Sequence, residues 1–103
     1  MENEYQFINE ENKKYPQLIR KITIKNQYGI HVRPASLFTK EAIRFESDII
    51  VQKEDTQING KSIMGLMTIG ATKGTKIILI AQGPDAEELL DKIEELINNN
   101  FNE

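Results

Sequence analysis

The chain has 103 residues, 13 basic and 16 acidic side chains, a formal net charge of −3, no cysteine and one histidine. That length holds one domain with one core, and charges that alternate in sign rather than forming a basic stripe argue against a nucleic-acid partner. Disulfides, thiolate or multi-histidine metal sites, a thiol nucleophile, a membrane span and an export-type apolar block are all excluded, so a soluble cytoplasmic protein with no metal and no cofactor is expected.

Residues 1–19 are rich in Asn, Glu and Lys, show no sustained period and read as a polar N-terminal extension, leaving 20–103 for the compact domain. Residues 21–25 alternate polar and β-branched side chains, which predicts a strand with Ile22 and Ile24 facing the core. A turn at Tyr28-Gly29 follows, and then a helix over 34–46 opened by Pro34, with Ala35, Phe38, Ala42 and Phe45 on one stripe. Residues 49–53 and 56–59 read as a strand pair joined at Glu54-Asp55. A short apolar helix over 63–69 takes Ser62 as N-cap and Gly70 as its end. A strand over 76–81 precedes a last helix opened by Asp85 and Glu88 in capping-box spacing. The order βαββαβα implies an α+β open-faced sandwich: four mostly antiparallel strands with three helices on one face.

His31 lies between a strand and a helix in Gly29-Ile30-His31-Val32-Arg33-Pro34-Ala35. A lone histidine is ordinarily a surface loop residue without a special role. Here Gly29 permits a tight turn that presents the ring outward, and the helix that follows aims N–H groups and a positive dipole end at the same place. Arg33 adds a planar cation suited to phosphate. The chemistry that fits is reversible phosphorylation of the imidazole, with a neutral ring nitrogen as nucleophile.

Gly29-Ile30-His31-Val32-Arg33-Pro34-Ala35-Ser36 and Asn59-Gly60-Lys61-Ser62-Ile63-Met64-Gly65-Leu66-Met67 resemble the two signature segments of the HPr family. These are the histidine-containing phosphocarriers of the phosphoenolpyruvate-dependent sugar phosphotransferase system, and the likeness runs over about residues 20–97. The resemblance implies a carrier rather than an enzyme. His31 would take phosphate on Nδ1 from phosphorylated enzyme I and give it to enzyme IIA domains, with Arg33 stabilising the phosphate. It further implies phosphorylation of Ser62 by HPr kinase/phosphorylase, yielding a corepressor for a catabolite-control transcription factor. Tyr28 and Val32 depart from the commoner residues at their positions. Some regulatory relatives lack the histidine, so its presence favours a carrier over a regulatory paralogue; a relay serving nitrogen regulation would use the same histidine and stays open.

Ser62 is explained equally well as a structural N-cap. Within 63–69, Leu66 and Ile69 share one side while Ile63, Met64 and Met67 share another, and a short helix on a sheet cannot bury both. Ser36, Lys40 and Ile43 likewise leave the core stripe of the first helix. Together these six residues read as a partner-docking face, with adaptable methionines at its centre. Strand alternation also leaves Ile50, Ile78 and Ile80 on the open side of the sheet, where the apolar residues of the extension, Tyr5, Phe7, Ile8, Tyr15, Leu18 and Ile19, are candidates to cover them within the same or a neighbouring molecule, the alternative being a frayed tail.

Overall fold

The computed structural model describes residues 7–103, so Tyr5 lies outside the described residues. The elements are β1 (Gln17–Thr23), α1 (Val32–Ala42), β2 (Asp48–Lys53), β3 (Thr56–Asn59), α2 (Ile63–Thr68), β4 (Lys76–Gln82) and α3 (Ala86–Asn98), in the order βαββαβα. Among the described residues the strands form one sheet in the order β1-β4-β2-β3, and every neighbouring pair is antiparallel. Short connections suffice only for the β2–β3 hairpin; the other strands return by way of a helix.

Strand alternation decides which face carries the core. Ile22, Ile49, Val51, Ile77 and Leu79 are buried on the helix side, against Phe38 of α1, Leu66 of α2 and Leu89, Leu90, Ile93 and Ile97 of α3. Each such side chain contributes roughly 1.5–3 kcal/mol by leaving water. Arg20, on the same face at the sheet edge, donates to Asp91 at 2.7 Å and Glu94 at 2.8 Å, tying β1 to α3.

The opposite face is closed at one end by the segment before β1. Ile8 is buried with Ile50 and Ile80, and Phe7 and Ile78 pack against them. A 3₁₀ turn at Glu10–Lys14 is anchored by polar side chains: Asp48 accepts from Asn9 N and Asn12 Nδ2, each at 2.8 Å. Gln82 Nε2 donates to Tyr15 O at 2.6 Å. Leu18 turns to the helix-side core, whereas Ile19 stays 58% exposed.

Three local expectations are corrected. The first strand begins at Gln17, pairing with Gln82, because residues 17–20 find partners on β4 that no local period announces. Helix α1 runs over 32–42, shifted from 34–46: Val32 and Arg33 are already helical, although the residue before a proline disfavours that conformation. At the other end Arg44 N and Phe45 N bond to the carbonyls of Glu41 and Ala42, three residues back, which tightens and ends the helix. Asp85 is the N-cap of α3 but makes no side-chain cap bond. Its carboxylate instead accepts from Ser47 Oγ at 2.6 Å, Ser47 N at 2.9 Å and Glu46 N at 3.1 Å, pinning the loop before β2 to the start of α3.

Candidate functional site

The loop between β1 and α1 is shaped by Gly29. Its φ is +67°, and a Cβ there would lie 2.3 Å from Ala71 O and 2.7 Å from Thr72 Cα, so no side chain is accommodated. Ile30 N donates to Ala71 O at 2.9 Å and Asn26 Nδ2 to Gly29 O at 2.7 Å, fixing the loop from both sides. His31 follows as the N-cap of α1, in extended conformation, with its side chain not used for capping. The ring is therefore free for other work, and the side chain is 44% exposed.

Arg33 lies in the first turn of α1, beside His31. Both reach one carboxylate oxygen: Glu103 Oε2 is 3.2 Å from His31 Nε2 and 3.8 Å from Arg33 Nη1. Arg33 Nη1 also donates to Phe101 O at 3.3 Å. Tyr28 stands edge-on to the imidazole, ring centroids 6.4 Å apart at 83°. The first N–H groups of α1 have no intrahelical acceptor and its dipole is positive here, so the site favours an anion. A nucleophilic imidazole, a guanidinium and a helix N-terminus at one exposed point can receive, hold and release a phosphoryl group.

The other predicted positions lie on α1 and α2, which pack on each other. Ser62 caps α2, its Oγ accepting from Gly65 N at 3.0 Å. On α2, Leu66 is buried while Ile63, Met64 and Met67 are exposed, Met64 by 76%. On α1, Ser36 is half-buried, Lys40 exposed and Ile43 60% exposed at the C-cap. Helical rise puts Ile43 roughly 18 Å along the axis from His31, so these residues form a long face beside the histidine rather than one pocket.

Glu103, Phe101 and Asn26 were not foreseen. Asn100, Phe101 and Asn102 carry φ of 54°, 55° and 63°, a left-handed hook that folds the segment after α3 back onto the site. Such a conformation costs roughly 1–2 kcal/mol per residue, less for asparagine. Full burial of Phe101 works against that cost. The run of asparagines at 98–100 was the available signal of a reversal, but it gave no direction.

Residues 18–99 match the family model for the PTS HPr component phosphorylation site. The chain belongs to the HPr family of phosphocarriers. Over 74 residues it is 45% identical to the HPr-like protein Crh of Bacillus subtilis, covering 72% of this chain and 87% of Crh. Over 86 residues it is 44% identical to the phosphocarrier protein HPr of Neisseria meningitidis serogroup A, covering 84% and 97% of the two chains. The crystal structure of HPr-C-His from Thermoanaerobacter tengcongensis superposes with a TM-score of 0.81 at 42% identity, over 84% of this chain and 97% of that one. The HPr open-faced sandwich is thus the fold seen here. Among the described residues no helix is long and apolar enough to cross a membrane.

Proposed function

We propose that this chain carries phosphate on His31, taking it from phosphorylated enzyme I and handing it to enzyme IIA domains of sugar permeases. The observation that carries this reading is the exposed His31 ring at the uncapped N-terminus of α1 with the Arg33 guanidinium beside it, both addressing a single anionic oxygen. His31 Nδ1 attacks phosphorus, Arg33 and the first N–H groups of α1 bear the phosphate charge, and the reactive N–P bond lets the group leave again. The protein is used up and regenerated in each cycle, so it has no turnover of its own. Ser36, Lys40 and Ile43 with Ile63, Met64 and Met67 form the surface that donor and acceptor use in turn; adaptable methionines and the exposed Arg33, Lys40 and Arg44 at the margin suit acidic partners and fast exchange.

The likeness to Crh, a catabolite repression HPr of Bacillus subtilis, supports a second, regulatory role, for which Ser62 is our candidate residue. HPr kinase/phosphorylase would esterify its Oγ, and the phosphate oxygens can accept from Gly65 N as the hydroxyl does now, so the charge of the face changes while α2 persists. The product would act as corepressor for a catabolite-control transcription factor.

Incubation with phosphoenolpyruvate and enzyme I is expected to give an acid-labile phosphate that disappears in His31→Ala. Equal labelling of that variant overturns the proposal. Incubation with ATP and the serine kinase is expected to give an acid-stable phosphate that disappears in Ser62→Ala, and its persistence there removes the second role.

A further inference from the structure

Phosphoryl transfer through His31 uses one ring nitrogen, and the other has a partner of its own. His31 Nε2 faces Glu103 Oε2 at 3.2 Å. The carboxylate is held from several sides. Arg33 Nη1 lies 3.8 Å from the same oxygen, and Asn26 Nδ2 makes a longer contact of 3.4 Å with Oε1. Asn26 is itself buried and bonded to Gly29 O, so one side chain spans the loop that presents the histidine and the residue that faces it. The left-handed hook at 100–102, with Phe101 locked in the core, brings Glu103 to this place from the far end of α3.

We infer that Glu103 is a positioning residue that selects the His31 tautomer carrying its proton on Nε2 and its lone pair on Nδ1. The inference rests on the reading of His31 as phospho-acceptor. In that tautomer Nε2–H donates to Glu103 and Nδ1 is free to attack. In the other tautomer a ring lone pair and a carboxylate oxygen face each other at hydrogen-bond distance, which is repulsive, and the attacking nitrogen is blocked by its own proton.

The transfer then needs no proton movement. Nδ1 gives its lone pair to the phosphorus of a phosphohistidine donor protein while the donor's N–P bond breaks, its electron pair returning to the donor nitrogen. The His31 ring now bears phosphate on Nδ1 and hydrogen on Nε2, and its positive charge is balanced by Glu103. When the group passes to an acceptor, the N–P electron pair returns to Nδ1 and the starting tautomer is restored.

The test uses the full chain with Glu103→Ala and Glu103→Gln. Ring ¹⁵N shifts, recorded where the imidazole is neutral, report the tautomer, and the rate of phosphorylation by phosphorylated enzyme I reports the chemistry. In Glu103→Ala the Nδ1–H tautomer is expected to rise and phosphorylation to slow about three- to tenfold, the scale of one solvent-accessible charge-assisted hydrogen bond. Glu103→Gln keeps an acceptor oxygen and is expected to fall between the two. Unchanged ring shifts in Glu103→Ala overturn the inference, as does an unchanged or faster rate, since a faster one marks the carboxylate as a competitor for the phosphate seat. Labelling of His31→Ala would instead remove the underlying reading, so the two failures are distinct.

Discussion

Asp85 and Glu103 are carboxylates whose work is set by distant neighbours rather than by their own helices. Burial pushes the Asp85 carboxyl up, but the hydrogen bonds from Ser47 Oγ, Ser47 N and Glu46 N outweigh it and hold the group below the ordinary aspartate range. In the unfolded chain the same group titrates at its ordinary value of 3.8. A pKa lowered by folding means that the unfolded state binds the proton more readily, so the contribution to stability is full above about pH 4 and is lost as pH falls through the folded value. Asp85→Asn is therefore expected to cost about 1–2 kcal/mol at pH 7 through the lost charge-assisted hydrogen bonds. It should also flatten the acid side of the stability curve, as read by urea unfolding at pH 7, 4 and 3; an unchanged acid slope contradicts this. His31 was legible because Gly29 and Pro34 flank it in sequence and define a presented ring at a helix start. Glu103 was not, because its position depends on three consecutive left-handed residues.

The elements show the same division between local and non-local information. Alternation in β2 and β4 put Ile50, Ile78 and Ile80 on the outer face, but it could not say which residues of the preceding segment would meet them. The structure uses Phe7 and Ile8, with Asn9 and Asn12 fastened to Asp48; the exposed Ile19 does not contribute. Ile8→Ala should lower stability by about 1–3 kcal/mol, whereas Ile19→Ala should stay within about 0.5 kcal/mol. Chemical denaturation of the two variants side by side checks this, and equal effects would show that Ile8 adds nothing to closing the face. Helix α1 teaches a related point: the proline rule placed its start at Pro34, yet Val32 and Arg33 are already helical, which puts Arg33 on the first turn, next to His31.

At the scale of the molecule, one antiparallel sheet with helices on a single face brings residues 26–33 and 101–103 together around the exposed His31. The order βαββαβα, the core face and the His31–Arg33 pair were all legible because hydrophobic period and turn residues carry them locally. The carboxylate side of the site and the strap on the outer face were not, since each joins segments far apart in the chain through polar contacts that have no period. A small chain with a single histidine can still serve a relay, because a carrier needs one exchangeable site and one shared surface. The most direct measurement maps the phosphoryl group by ³¹P and ¹⁵N NMR after reaction with phosphoenolpyruvate and enzyme I. The account predicts one phosphate, on Nδ1 of His31, with the proton on Nε2; phosphate on Nε2, or on any residue other than His31, would contradict it.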